Sequence, residues 1–383
     1  MDFEFSEEQV MLRDAVRRTM DRLATPDLLR QLDRDQAYPY TLYDAWIQQG
    51  LMQMPFPESI GGLGGSVMDM VIIAEELSRK GFDLFTAYSS NVFCGLTLMR
   101  KGTAEQQQAW LPPLLDGRLR MSISMSEPDA GSDLSGMRTK ARRDGDDWII
   151  SGRKLWATGA GARNNFINVY ARTNANADYR QGMSLFLVKN DSPGLELKKL
   201  DMLGRRSVGT YELHFDDVRV PGDQLIGEVD KGWDCLLSGL QYERVTSTAG
   251  YCGAAQSVVD MALDYAKDRR QFGKPLVENQ AIAHMLADMQ TEVDASRLLL
   301  WHAAWRLMKG HDALRAISMA KLFGSETYVK VANQGMQILG AFGYSMEYDM
   351  QRHYRDARST TIGAGTSQIQ RNLIARLMVS GKM

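Results

Sequence analysis

The chain has 383 residues, with 45 Lys plus Arg against 47 Asp plus Glu and 44% hydrophobic residues; this excludes disorder of the whole and allows two or three domains. A formal net charge of −2 leaves no electrostatic footprint for nucleic acid or an acidic membrane. The three cysteines and five histidines are scattered, without CxxC or HExxH spacing, which argues against a disulfide framework and against a metal site.

The N-terminus, MDFEFSEEQVMLRDAVRR, mixes acidic and basic residues, lacks a signal-peptide apolar run and is too acidic for a typical transit peptide. No stretch approaches the roughly 18 apolar residues of a membrane span. A cytoplasmic protein is expected. From Ser6 to about Arg120 the apolar residues recur three and four apart, as in helices, with breakers such as Gly61-Gly62-Leu63-Gly64-Gly65 between segments. From about Met121 to Gly227 the period shortens to two. Strands are predicted at Trp148–Ile150, Phe166–Tyr170, Met183–Val188 and Tyr211–Phe215, with a turn at Asp144-Gly145-Asp146. From about Trp233 helical spacing returns: Val258, Met261, Ala262 and Tyr265 form one stripe, and Leu298–Met308 is a second apolar segment. No GxGxxG follows a strand, and no Walker loop or GxSxG occurs, so the order helices, strands, helices does not read as a doubly wound sheet.

Two segments carry chemistry. Met125-Ser126-Glu127-Pro128-Asp129-Ala130-Gly131-Ser132-Asp133-Leu134-Ser135-Gly136 offers hydroxyls and accessible amides for a phosphate or a polar ring edge; on its own it is also an ordinary polar turn. Gln337-Ile338-Leu339-Gly340-Ala341-Phe342-Gly343-Tyr344 has two glycines three apart, compatible with close ligand approach or with a helix end. Together they resemble the two signatures of the acyl-CoA dehydrogenase family, in the right order and about 200 residues apart. Ser124 stands where Gly, Ala or Cys is usual, and Ala341 replaces Gly or Ser.

The resemblance implies a mostly α fold with a central β domain: an N-terminal helical domain (1–120), a small antiparallel β-barrel domain forming the flavin and substrate face (121–228), and a C-terminal four-helix-bundle domain with the base and oligomer contacts (229–383). It implies FAD as cofactor. Met125 and Ser126 would line the isoalloxazine, Trp156 would pack on it, Thr158 would hydrogen-bond near N5, and Ser132 would reach the pyrophosphate or substrate. Arg269, Gln271 and Phe272 look like the motif that reaches a neighbouring subunit's FAD. Gln280, Gln337, Gly340, Thr366 and Gln368 match further FAD contacts. Tyr242, Arg244 and Gly365 match substrate positions. Ala87–Gly95, with Asn91 and Cys94, would shape the acyl pocket. Without the family, Trp156 would read as core and Arg244 as a surface ion-pair partner.

Desaturating a thioester needs a base for the α-proton while hydride leaves Cβ. Many family members carry a Glu just before the Gly-Thr of the C-terminal loop, but here Ile362-Gly363-Ala364-Gly365-Thr366 places Ala364 there. Glu243, in Leu240-Gln241-Tyr242-Glu243-Arg244, resembles the base of the isovaleryl-CoA dehydrogenase branch, which shares the Ala-Gly-Thr loop. The Ala364 amide would still hold the thioester oxygen. The expected activity is α,β-desaturation of a short, branched or bulky acyl-CoA in fatty acid or amino acid catabolism. Electron-transfer flavoprotein is the expected acceptor and a homotetramer the expected assembly. A dehydrogenase of an acyl or aminoacyl group on a carrier protein, an oxidase, and a non-catalytic flavin-binding protein stay open as alternatives.

Overall fold

The computed structural model describes residues 4–381. Six helices come first: α1 (Glu7–Leu23), α2 (Pro26–Asp35), α3 (Tyr40–Gln48), α4 (Val67–Ser78), α5 (Phe82–Lys101) and α6 (Ala104–Leu115). Their starts are written locally. Ser6, Ser66 and Thr103 each form a reciprocal capping box with the residue three positions on, and Thr25 caps α2 with Pro26 in its first turn. Helix α5 is apolar on nearly every face and is accordingly buried between α4, α7 and the sheet.

The middle region holds β1 (Arg120–Ser124), β2 (Lys140–Asp144), β3 (Asp147–Thr158), β4 (Asn165–Arg172), β5 (Met183–Lys189), β6 (Leu195–Leu200), β7 (Thr210–Val220) and β8 (Leu225–Ile226). All four predicted strands fall inside these bounds, and Gly145, at φ +64°, sits in the predicted turn between β2 and β3. The order is β6-β7-β3-β2-β4-β5-β8, with β1 also on β4. The expectation of a wholly antiparallel domain needs one correction: β1 runs parallel to β4, Arg120 opposite Asn165 through Ser124 opposite Val169, and β2 meets β4 in parallel at Lys140 opposite Arg172. Strands β1 and β2 thus follow one another along the same edge of β4. The signature loop is the chain that leaves the sheet between them.

The two-residue period of β4 and β5 divides their side chains between two cores. Ile167, Val169, Phe186 and Val188 enter the core of the sheet, while Phe166, Tyr170, Leu185 and Leu187 face the helical core. Strands β2 and β6, KARRD and LELKKL, are mostly solvent-facing and carry no apolar alternation strong enough to announce them.

The C-terminal region contains α7 (Gly232–Asp268), a hairpin of β9 (Arg270–Gln271) and β10 (Lys274–Pro275), α8 (Gln280–Met308), α9 (Leu314–Leu339), α10 (Ala341–Tyr344), α11 (Met350–Thr360) and α12 (Ser367–Val379). Helices α7, α8 and α9 pack on one another, with α12 on α9 and α4 against α7 and α8. Two glycines set how closely α7 approaches the N-terminal helices. A Cβ at Gly253 would lie 2.0 Å from the Glu75 carbonyl oxygen on α4, and one at Gly239 would lie 2.4 Å from Thr97 Oγ1 on α5. These close crossings fix the stretch of α7 that carries Glu243. Of the second apolar segment, Leu300, Ala303 and Ala304 are core, whereas Leu298, Trp305 and Met308 are exposed.

Candidate active site

The signature loop is anchored from below by a buried ion pair. Glu127 accepts from the backbone N–H groups of Arg138 (2.6 Å) and Thr139 (3.0 Å) and from Lys154 Nζ (2.9 Å). Lys154, fully buried, also donates to the Met125 carbonyl at 2.9 Å, and the Leu155 N–H donates to the Ser126 carbonyl at 2.9 Å. Burial lowers the Lys154 ammonium to about 8 against the opposing pull of Glu127. These bonds lay Met125 and Ser126 alongside the outer end of β3. There the β3–β7 register shifts between Lys154 and Ala157, and Trp156 takes a left-handed φ of +65° with its side chain 54% exposed. A bulge re-aims a side chain, and left-handed backbone at a non-glycine residue costs roughly 1–2 kcal/mol. Two residues on, Thr158 and Thr210 share a hydroxyl–hydroxyl hydrogen bond of 3.1 Å. The buried Ser124 hydroxyl at the end of β1 has no partner.

The second cluster forms where α7, α9 and the C-terminal loop meet. Ala364, at φ +54°, and Gly365, at φ +88°, turn the chain into α12, which Thr366 caps by accepting from the Ile369 N–H at 3.2 Å. Three donors hold the loop's carbonyls. Arg244 Nε reaches Ala364 O at 3.4 Å, Lys321 Nζ reaches Gly365 O at 2.8 Å and Thr360 O at 3.1 Å, and Gln370 Nε2 lies 3.3 and 3.2 Å from the oxygens of Ala364 and Gly365. The Ala364 N–H donates to no acceptor among the described residues.

Glu243 is half-buried beside this loop, and its carboxylate accepts no hydrogen bond from the described residues. Burial raises its pKa, opposed in turn by the charges of Arg244, Lys321 and Arg205. Its own charge acts on Cys94 of α5, Tyr170 of β4 and Tyr251 of α7, so it stands at the junction of the helical layers and the sheet. Arg100 of α5 stacks 3.9 Å above the Tyr242 ring. Asn91 has a different task from lining a pocket: it accepts from the Met121 N–H at 2.6 Å and donates to Ala87 O at 2.7 Å, tying α5 to β1.

The remaining candidate residues lie elsewhere. Arg269 ends α7, 26 residues beyond Glu243, which is about 39 Å along the helix axis. Its guanidinium lies 5.6 Å from the Phe342 ring, which brings the hairpin to the end of α9 near Gln337 and Gly340. Phe272, at the hairpin tip, is 97% exposed. Gln280 starts α8 just past the hairpin, and Ser132 and Gln368 are exposed. One chain therefore does not bring Arg269, Gln271, Phe272, Gln280, Gln337 or Gly340 to the Glu243 cluster.

Three residues of the site have no mark in local sequence motifs, Lys154, Lys321 and Gln370, and Glu127 lies in the signature loop without a role assigned to it there. Lys321 nonetheless falls in phase with Ile317, Gly324 and Tyr328, all buried on α9, and that phase is the signal that it points inward.

The sequence matches three family models in chain order: the acyl-CoA dehydrogenase N-terminal domain over residues 6–118, the middle domain over 122–218 and the C-terminal domain over 230–379. The chain belongs to the acyl-CoA dehydrogenase family. It is thus an FAD-dependent oxidoreductase acting on CH–CH donors. It is 37% identical to the probable acyl-CoA dehydrogenase YngJ of Bacillus subtilis over 99% of this chain and 100% of that protein. It is 34% identical to CarC, a subunit of the caffeyl-CoA reductase–Etf complex of Acetobacterium woodii, over 98% and 99%. The structure of butyryl-CoA dehydrogenase from Megasphaera elsdenii superposes with a TM-score of 0.94 at 30% identity, covering 99% of this chain and 100% of that one.

The residues present fit the cofactor. Trp156 offers a flat apolar face held outward at a backbone cost, Thr158 and Thr210 offer hydroxyls beside it, and Ser124 holds a buried oxygen in want of a partner. Among the described residues no cluster of side chains could hold a metal ion, and no helix is long and apolar enough to cross a membrane.

Proposed function

We propose that this dehydrogenase desaturates a short acyl-CoA thioester, branched or bulky around the reacting carbons, with Glu243 as the base. This is the base position of the isovaleryl-CoA dehydrogenase branch. The observation that carries the reading is the state of Glu243: a half-buried carboxylate of raised pKa with no hydrogen-bond partner among the described residues, at the junction where the helices and the sheet meet. Such a group can take a weakly acidic α-proton without first breaking a bond of its own. The bound FAD would supply the acceptor for the hydride that leaves Cβ. Trp156, Thr158, Met125 and Ser126 would orient it, and the Ala364 N–H would hold the thioester oxygen as enolate character develops. Because Arg244, Lys321 and Gln370 hold the Ala364 and Gly365 carbonyls, that amide is set before substrate arrives. Alanine at this position leaves volume beside Cα and Cβ, which supports a branched acyl group.

The 39 Å separating Arg269 from Glu243 supports an assembly in which the hairpin of one subunit meets the FAD of another, in a homotetramer. The similarity to CarC supports electron-transfer flavoprotein as acceptor. A cytoplasmic setting fits the composition. Glu243→Gln tests the base: the protein should keep FAD but lose anaerobic bleaching by acyl-CoA by at least ~100-fold. Bleaching at the wild-type rate would remove Glu243 from this role.

A further inference from the structure

Arg205, in the turn between β6 and β7, is placed with unusual care for a residue without a counter-ion. Its backbone is left-handed at φ +58°, and its N–H donates to the buried Asp356 carboxylate at 2.6 Å. The following residues, Ser207 and Val208, donate their N–H groups to buried Asp83 at 2.7 and 3.2 Å. Two buried acids from α5 and α11 thus spend oxygens on the backbone of this turn and none on the guanidinium. The side chain runs past the Phe82 ring, 5.7 Å from its centroid, to donate from Nη2 to Thr86 Oγ1 on α5 at 3.1 Å.

That hydroxyl is the guanidinium's sole partner among the described residues. No carboxylate lies within salt-bridge distance, and Nε is buried without an acceptor. Arg120, Arg172 and Arg352 also bury an unpaired Nε, but their terminal nitrogens are taken by backbone carbonyls: Arg163 O, Ala177 O and Lys80 O at 3.2, 2.7 and 3.3 Å. Arg205 is therefore a half-buried cation whose Nε is buried and whose donors, Nη2 to Thr86 apart, make no hydrogen bond to the described residues. The Phe82 ring it passes lies 5.2 Å from the Tyr251 ring on α7, and its charge acts on Tyr251 and Glu243, so it faces the interior that holds the base.

We propose that Arg205 reads the far end of the acyl group, and that the preferred substrate is a short thioester with a terminal carboxylate, the monothioester of a dicarboxylic acid. This rests on the reading of Glu243 as the base and names the substrate class for it. A carboxylate meets the guanidinium fork bidentately and supplies the missing charge. A methyl terminus leaves the guanidinium, with its buried Nε, without that partner, which is how a polar site rejects an apolar analogue.

Binding is best compared on FAD-loaded Glu243→Gln protein, in which the ligand is not consumed. Calorimetry with glutaryl-CoA against pentanoyl-CoA, and succinyl-CoA against butyryl-CoA, should show the carboxylate-bearing member of at least one pair bound at least about 30-fold tighter. Adding Arg205→Met should abolish the preference and Arg205→Lys should retain part of it, each with its FAD content checked. Equal binding within both pairs overturns the proposal. So does an equal loss on both members in Arg205→Met, the result for a residue that only offsets Asp83 and Asp356. The base is judged separately: bleaching of the Glu243→Gln protein would defeat that reading while leaving the binding preference to stand or fall by itself.

Discussion

Replacing Lys154 by Met tests whether the buried ion pair organises the flavin face. The change leaves Glu127 a carboxylate in a buried site with only the Arg138 and Thr139 N–H groups as donors, and removes the donor to the Met125 carbonyl. Breaking one side of a buried pair costs about 3–5 kcal/mol, mostly through the charge left uncompensated. The single variant should therefore unfold at markedly lower urea and lose FAD on gel filtration, because Met125 and Ser126 are no longer held beside Trp156. Adding Glu127→Gln removes the stranded charge while its amide oxygen still accepts one of the two N–H groups, so the double variant should regain part of the loss. The pH dependence has a definite sign. In Lys154→Met, Glu127 loses the charge that helps hold its pKa below the ordinary value, so the deficit against wild type is largest above the carboxylate range and shrinks as pH falls through it. Equilibrium urea titrations between pH 4 and 8 measure this. A single variant as stable as wild type with full FAD content would refute the view that the pair positions the signature loop.

Lys321→Met should move the acid limb of the kcat/KM profile to higher pH, because the Lys321 charge opposes the burial that raises Glu243; an unmoved limb would separate Lys321 from the base. The share of stability that Lys321 controls should rise between pH ~8 and ~10.5, since burial puts Lys321 at about 8 and the unfolded chain binds the extra proton in that window. Lys321→Met should lose that share of the rise, which urea titrations of the two proteins would show. Phe272→Ser should change the melting of the isolated chain by less than about 0.5 kcal/mol, because the ring is 97% exposed, while lowering the assembled mass and the FAD content together. Unchanged mass and FAD would detach the hairpin from the neighbouring subunit's site.

Much of this architecture is legible residue by residue. Ser6, Thr25, Ser66 and Thr103 mark helix starts because capping is a contact between neighbours in sequence. The strands with apolar alternation are visible for the same reason, whereas the charged β2 and β6 depend on β3 and β7 for their pairing and have no signature of their own. The signature loop, Trp156 and the Glu243–Ala364 combination stand out only through the family resemblance; by itself Trp156 reads as core and the loop as a polar turn.

The scarcity and scatter of Cys and His argue, from the sequence alone, against metal and disulfide chemistry, and fit a borrowed redox group once the family resemblance implies FAD. What only the tertiary structure decided is which of the many charges are buried and what faces them. Lys154 and Arg205 look like surface residues in the chain, and become a buried clamp and a half-buried cation without an ion pair among the described residues because distant elements close over them; Lys321, which its helix phase already turns inward, becomes a loop anchor only where α9 meets the C-terminal loop. Burial is a property of packing between segments far apart in the chain, and local pattern does not carry it.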